Sequence, residues 1–188
     1  TADAAALRQV VDLLRARFQI DRAAVVADRG MISQETMKLL KDHETAPFDY
    51  VLGCKLRRSK EVREEVLSRG GRYQKVADNL EVKEVRVKER RYVVCRNPRE
   101  ARKDAAARQA LVEKLKATLA REGEKGLMAN RGFARFLQTA KGSVHLDEAA
   151  LAADARLDGK FVLTTNTEMP TDQVALTYKS LWRVERTF

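Results

Sequence analysis

The chain has 188 residues, of which 44% are apolar and 34% charged, and its formal net charge is +10. This apolar fraction is typical of a globular protein and excludes a wholly disordered chain. No stretch approaches the roughly 18–20 apolar residues needed to cross a bilayer. The N-terminal segment also lacks the basic region and apolar block of a signal peptide, so we expect a soluble, intracellular protein.

The first part of the chain alternates between helix and strand. An amphipathic helix is predicted over residues 3–18, where apolar side chains recur at helical spacing. A buried strand at residues 23–26, a helix at 33–42 and a strand at 48–56 follow. This order predicts parallel α/β layers.

The middle of the chain loses this alternation. A short charged helix is predicted at residues 59–67, followed by the two strands of a hairpin at 82–87 and 91–95. After Pro98 a long helix is predicted at residues 100–121. We expect its buried stripe to comprise Ala101, Ala105, Val112, Leu115 and Leu119.

The last part of the chain is predicted to end in a helix that begins at Thr171 or Asp172, since both are good N-cap residues and follow a proline. Four elements are expected before it: a short helix at residues 133–139, a strand at 143–146, a helix at 147–156 and a strand at 161–165.

The two cysteines, Cys54 and Cys95, and the two histidines, His43 and His145, form none of the CxxC or HxxxH clusters that zinc sites use. A disulfide would need an oxidising compartment, of which the sequence gives no sign. Both thiols are most simply explained as core or strand residues.

The positive charge is concentrated in residues 55–108, which contain 18 Lys and Arg against 9 Asp and Glu. Such a basic block attracts a polyanion through phosphate contacts and counterion release. Its two aromatic residues, Tyr73 and Tyr92, are too few for a base-stacking platform, so contacts to the nucleic-acid backbone are expected. The alternative is a solvated basic surface without a partner.

The terminal helix carries a carboxylate within its apolar stripe. Glu185 shares a helical face with Tyr178, Leu181, Trp182 and Phe188, none of which is a cation. A carboxylate that faces a core is costly unless its charge is compensated. A distant arginine, a metal ion or a position at the edge of the core would each meet this need.

Asp28 follows the predicted strand at residues 23–26, at the end where open α/β sheets place functional groups. An aspartate in this position is also an ordinary turn residue. If Asp28 and Glu185 converge, their oxygens suit divalent cations. Paired cations activate an attacking oxygen and stabilise a leaving oxygen in phosphodiester chemistry.

Two segments carry a resemblance to a known family. VVADRGMIS around Asp28, and LTTNT followed by YKSLWRVERTF around Glu185, resemble bacterial insertion-sequence transposases of the DDE class. They are similar to the branch with a large, partly β-stranded insertion between the second acidic residue and the Glu. The resemblance implies the α/β class, with a partial ribonuclease-H-like fold and an α+β insertion subdomain. Residues 1–56 and 158–188 would form the catalytic core, and residues 57–157 the basic insertion.

The resemblance also implies the site residues. Asp28 matches the second Asp of the family and Glu185 matches its Glu, so both would be catalytic ligands of two Mg²⁺ or Mn²⁺ ions. Core packing is the alternative role for Trp182, and a plain surface position is the alternative for Arg29. The residues expected to contact DNA are Tyr178, Trp182, Arg183 and Arg29.

The sequence departs from the family pattern at Leu181, where the family has an Arg four residues before its Glu. The resemblance places the first catalytic Asp on a strand before Thr1 and a signature Lys beyond Phe188. We therefore expect the sequence to be a fragment that is inactive by itself.

The resemblance implies that the full-length protein cuts phosphodiester bonds at element ends and joins the freed 3′-hydroxyls to target DNA. The implied partner is double-stranded DNA, bound by a homodimer in the bacterial cytoplasm at the nucleoid, with no membrane. Two alternatives stay open. One is a non-catalytic DNA-binding module or the product of a decayed element, and the other is a related nuclease that hydrolyses DNA without joining it.

Overall fold

A computed structural model describes residues 9, 13, 17, 24–28, 49–129, 134–140 and 143–185 of the chain. The helices whose bounds the structure gives are α1 (Pro98–Ala129), α2 (Glu148–Ala155) and α3 (Thr171–Glu185), with one π-helical turn at Val62–Val66 and one 3₁₀ turn at Ala134–Phe136. α1 is kinked at Gly123, whose φ of 67° and ψ of −163° are not helical. The strands are β1 (Ala24–Ala27), β2 (Asp49–Gly53), β3 (Gln74–Ala77), β4 (Leu80–Val87), β5 (Arg90–Arg96), β6 (Leu137–Ala140), β7 (Ser143–Leu146) and β8 (Lys160–Thr165).

The chain divides into two compact units. The first, the sheet unit, comprises Thr1–Cys95 and Phe161–Phe188, and the second, the helical unit, comprises Arg96–Lys160. Strands β3, β4 and β5 lie within the range expected to be an insertion, yet they belong to the same sheet as β1 and β2. Backbone pairing joins these strands into one sheet, and the helical unit begins at Arg96. The catalytic-core and insertion boundaries implied by the resemblance stay predictions.

The sheet unit contains a six-stranded sheet in the order β1-β2-β8-β5-β4-β3. β1 and β2 are parallel, as predicted, whereas β8 runs antiparallel to β2. The sheet is therefore mixed, and the fold has the expected α/β class. α3 packs on this sheet through Val174 and Ala175, which are fully buried in one cluster with Val51, Val93 and Leu163. This buried contact holds the terminal helix against the sheet.

The predicted hairpin is confirmed as β4 and β5. Its two connecting residues, Lys88 and Glu89, have φ values of 47° and 63°, the positive angles that a two-residue type I′ turn needs. The structure adds β3, which pairs antiparallel with β4. Its sequence, QKVA, has one β-branched residue and gave no strand signal.

The helical unit has its own core around Leu115 of α1 and Phe136, each at most 2% exposed. α1 begins after Asn97, whose Oδ1 accepts hydrogen bonds from the backbone N–H groups of Arg99 and Glu100 at 3.0 and 3.1 Å, as an N-cap residue does. The side chains packed around this core are those of Leu111, Val112, Leu137, Val144, Leu146, Ala150 and Leu151.

The buried stripe predicted for α1 is partly wrong, because Ala105 is exposed and Leu119 is 39% exposed. The buried side of the helix instead includes Arg108, whose guanidinium donates to both carboxylate oxygens of Asp158 at 2.5 and 2.6 Å. These hydrogen bonds raise the pKa of Arg108. A buried helical face predicted from apolar residues alone misses a charged residue that is buried together with an oppositely charged partner.

The short helix predicted at residues 133–139 is also wrong. A single 3₁₀ turn there leads into β6, which pairs antiparallel with the predicted strand β7. The pairing supplies backbone hydrogen bonds that a short isolated helix would lack. The helix predicted next is confirmed as α2, with Asp147 as its N-cap accepting from the Ala150 N–H at 2.8 Å.

Two predicted helices, at residues 3–18 and 33–42, lie largely or wholly outside the described residues. Of the first, Gln9, Leu13 and Arg17 are described, and all three are helical and exposed. In the described part of the chain, no helix has both the length and the apolar character that a membrane crossing requires.

Candidate functional site

The carboxyl ends of β1 and β2 lie side by side. The strands are parallel, and Ala27 of β1 is the register partner of Leu52 of β2. Asp28 follows Ala27 directly, so it lies beside the end of β2. Sheets of this type bring functional side chains together at this edge, and this is where Asp28 was predicted to act.

Helix α3 brings Tyr178 to Asp28. The phenol oxygen of Tyr178 donates a hydrogen bond to Oδ1 of Asp28 at 2.5 Å. The ring of Tyr178 stacks on Phe161 of β8 with a centroid distance of 5.8 Å and an interplanar angle of 24°. Both Tyr178 and Asp28 are half-buried. Two of the predicted site residues, 150 positions apart in the chain, are thus in direct contact.

Glu185 is the last residue of α3, seven positions after Tyr178. Seven residues make nearly two helical turns, so its backbone lies on the same face of the helix about 10 Å further along the axis. The side chains of Trp182, Arg183 and Glu185 lie outside the described part of the structure, and so does all of Arg29. Their contacts with metal or DNA stay predictions.

The chemistry of these acids fits a hard divalent cation, because carboxylate oxygens are the ligands that Mg²⁺ and Mn²⁺ prefer. The hydrogen bond from Tyr178 to Oδ1 of Asp28 is the kind of outer contact that orients a ligating carboxylate. Among the described residues, no three His, Cys, Asp or Glu side chains form a group that could hold a metal.

A run of cations follows β2 at the same edge of the sheet. We call residues 55–60, with the sequence KLRRSK, the basic loop. These cations create a positive potential next to the carboxyl end of β2. The sequence feature that could have identified this loop is its position directly after the strand predicted at residues 48–56. That strand was expected to be parallel to the strand that Asp28 follows. Its four exposed cations are Lys55, Arg57, Arg58 and Lys60.

Lys60 of the basic loop pairs with Glu64 at 3.8 Å. Further cations of the basic block are also paired with carboxylates of the same unit. These contacts neutralise much of their charge locally, so the count of 18 Lys and Arg residues overstates the number of cations available to a polyanion. The solvated-surface alternative therefore describes part of the block. Examples are Lys88 with Glu65 at 2.8 Å, Arg90 with Glu61 at 3.1 Å and Arg91 with Glu84 at 2.7 Å.

A cleft of about 240 Å³ opens at the carboxyl end of β2, lined by Cys54 among others. Burial raises the pKa of the Cys54 thiol to about 12, and the nearby Glu61 carboxylate adds to this effect. Cys95 is buried in β5, and burial raises its pKa too. Both thiols are free and stay protonated near neutral pH, so neither is suited to act as a nucleophile or metal ligand.

The TTNT segment, residues 164–167, begins in the last two residues of β8 and is hydrogen-bonded to β2. Oδ1 of Asn166 accepts from the backbone N–H of Tyr50 at 2.7 Å. The buried hydroxyl of Thr165 donates to the carbonyl oxygen of Tyr50 at 2.6 Å and accepts from the backbone N–H of Thr167 at 3.1 Å. These hydrogen bonds give a structural role to residues of the LTTNT motif, which was quoted above for the family resemblance.

We expect Thr165→Val to lower the free energy of unfolding by about 1–2 kcal/mol, because it leaves these two buried backbone groups without the hydroxyl. Urea denaturation followed by circular dichroism measures the change. Thr139→Val, at an exposed position of β6, is the matched control and is expected to be nearly neutral. Equal losses in the two variants would contradict the role of the Thr165 hydroxyl.

A family model described as the transposase DDE domain matches residues 1–188 of the chain. Comparison with curated protein sequences found no match, and comparison with solved structures found none either.

Proposed function

Because the chain belongs to the transposase DDE domain family, we propose that it forms part of a catalytic core that cuts DNA at element ends and joins those ends to target DNA. The observation that carries this proposal is the hydrogen bond from Tyr178 to Asp28. It joins in space the two sequence segments on which the resemblance to insertion-sequence transposases rests. The mixed α/β fold is consistent with the ribonuclease-H-like core of that family.

In this proposal Asp28 and Glu185 hold two Mg²⁺ or Mn²⁺ ions, as the family generally uses divalent metals. When bound, the ions supply charge stabilisation for the attacking and leaving oxygens of the phosphodiester. Asp28 is fixed at the end of β1, and Tyr178 orients its carboxylate through Oδ1. Helix α3 carries Glu185 on the face that also bears Tyr178.

The proposal needs a third carboxylate. Among the described strands, β1 stands at one end of the order, where a further strand could pair with it. By the resemblance, a strand before Thr1 would carry the first Asp of the triad to this position.

The proposed partner is double-stranded DNA, gripped through its phosphates by the basic loop. The resemblance adds Tyr178, Trp182, Arg183 and Arg29 as contacts to the DNA end. It also favours a homodimer that holds paired element ends, in a bacterial cytoplasm at the nucleoid. The place of the basic loop directly after β2, whose carboxyl end lies next to Asp28, supports the first of these contacts.

The test is a cleavage and joining assay with the complete transposase, its element-end duplex and Mg²⁺ or Mn²⁺. We expect cut ends and their covalent joining to target DNA. Binding without cleavage in either metal would favour the non-catalytic DNA-binding module, and hydrolysis without joining would favour a related nuclease. Both of these outcomes would reject the proposed activity.

We expect the double variant Lys55→Gln with Arg58→Gln to bind duplex DNA about tenfold more weakly, because two phosphate contacts of the basic loop are lost. The slope of log affinity against log salt should become less steep by about 2. Fluorescence anisotropy at several salt concentrations measures both quantities.

The control removes the same charge elsewhere, by Lys114→Gln with Lys116→Gln on exposed positions of α1. We expect this control to change the affinity much less. If both pairs weaken binding equally, net charge alone accounts for the effect and the basic loop has no special part in binding.

A further inference from the structure

Arg91 of β5 holds the segment that leads into α3. Its Nη1 donates to the carbonyl oxygens of Thr167 and Met169 at 2.7 and 2.8 Å. Its Nη2 lies 3.4 Å from the hydroxyl oxygen of Thr171, the first residue of α3. One guanidinium therefore contacts three points on the chain between β8 and the terminal helix.

Glu84 of β4 completes this contact. Its Oε2 accepts from Nε of Arg91 at 2.8 Å and from the Thr171 hydroxyl at 3.0 Å. Burial works against the charge of Glu84, but the hydrogen bonds from Arg91 and Thr171 outweigh it and lower the pKa of this carboxyl. We call Arg91, Glu84 and Thr171 the Arg91 clamp.

The clamp leaves Arg91 little capacity to bind DNA, although the residue belongs to the basic block. Its side chain is 11% exposed. A guanidinium has five N–H donors, and the contacts to Thr167, Met169, Thr171 and Glu84 occupy most of them. A phosphate would have to displace these bonds.

The clamp lies at the opposite end of α3 from Glu185. Glu185 lies fourteen residues after Thr171, which corresponds to about 21 Å along a rigid helix. A tilt of about 10° at the start would therefore displace the far end by about 4 Å, whereas a misplacement of about 1 Å is enough to cost a catalytic site about 100-fold. The direction of α3 at Thr171 therefore determines where Tyr178 and Glu185 lie relative to Asp28.

We propose that Arg91 is a positioning residue, which with Glu84 fixes the start of α3 on β4 and β5 so that Tyr178 and Glu185 reach the site at Asp28. Its effect on cleavage rests on the proposed function, since only there is Glu185 a metal ligand. The effect of Arg91 on the position of α3 does not depend on the proposed function. Arg91 touches neither DNA nor metal and acts through α3.

The test compares Arg91→Lys with Arg86→Lys in the complete transposase. Arg86 is the matched control, because it pairs with the same carboxylate, through Oε1 of Glu84 at 3.2 Å, but is exposed. We expect Arg91→Lys to slow single-turnover cleavage by about 100-fold and to raise the Mn²⁺ concentration needed for half-maximal rate. Its affinity for DNA should stay within twofold, and Arg86→Lys should resemble the unmodified protein in all three.

Hydrogen exchange gives a readout that does not depend on catalysis. We expect Arg91→Lys to speed exchange of the backbone amides of residues 172–178, while β2 stays protected. Glu84→Gln keeps an acceptor for Arg91 and is the second variant if Arg91→Lys does not fold; it should show the same pattern in milder form.

The outcomes separate the two proposals. An unmodified transposase that does not cut DNA rejects the proposed function, while altered exchange at residues 172–178 would still support the clamp. Unchanged exchange and unchanged Mn²⁺ dependence in Arg91→Lys would overturn the clamp. A loss of cleavage that merely follows a loss of DNA affinity would also overturn it, since Arg91 would then be a DNA contact.

Discussion

Asp28→Asn and Glu185→Gln are each expected to reduce DNA cleavage and joining by on the order of 10³-fold or more, since each removes one negative charge from the proposed metal site. Both substitutions keep the size of the side chain and an oxygen acceptor. The amide oxygen of an asparagine at position 28 can still accept from Tyr178, whose hydroxyl contacts Oδ1 in the structure. The fold and DNA affinity should therefore be preserved.

The measurement is single-turnover cleavage of element-end DNA in Mg²⁺, with fluorescence anisotropy to follow binding. Tyr178→Phe is the graded comparison, because it removes the hydrogen bond to Asp28 but keeps the ring that stacks on Phe161. We expect a smaller loss, about 10–100-fold, as for other outer contacts to a ligating group. Unchanged cleavage in either charge-removing variant would reject that residue as a ligand.

Gly159→Ala is expected to lower the free energy of unfolding by about 3 kcal/mol. Gly159 has a φ of 61°, and a Cβ there would lie 2.4 Å from the carbonyl oxygen of Asn97 and 2.6 Å from the backbone nitrogen of Ala101. Both contacting atoms belong to the main chain at the start of α1. A main chain cannot move aside to make room as a flexible side chain can. The Gly159 carbonyl also accepts from the Asn97 N–H at 2.8 Å, which ties the two backbones closely together.

Urea denaturation followed by far-ultraviolet circular dichroism measures this loss. Gly70→Ala is the matched control, because no atom lies within 4 Å of the Cβ it would add. Its expected change is within about 0.5 kcal/mol. Similar denaturation midpoints for the two variants would contradict the close approach at Gly159.

Local pattern predicted much of the fold. The strands that became β1, β2, β7 and β8, the hairpin of β4 and β5, and the start of α3 at Thr171 were all anticipated. Errors arose where neighbours elsewhere in the chain decided the outcome. β6 forms because β7 pairs with it, and the buried side of α1 includes Arg108 because Asp158 neutralises it.

The family prediction is confirmed by the match over residues 1–188, and the α/β class is confirmed by the mixed sheet with its helices. Asp28 and Tyr178 were named from two short motifs, and the structure brings them together. The roles of Glu185, Trp182, Arg183 and Arg29, and the two metal ions, stay predictions. The Arg91 clamp gave no sequence signal, because Arg91 is one cation among 18 in the block.

The sequence by itself determined the net charge of +10 and its concentration in one block, the type of most elements, and the motifs around Asp28 and Glu185. Each of these depends on composition or on residues close together in the chain. Only the tertiary structure decided that β8 lies between β2 and β5, which cations of the block are neutralised, and that Tyr178 meets Asp28 across 150 positions. These contacts depend on strand pairing and shared burial between distant segments, which no local periodicity encodes.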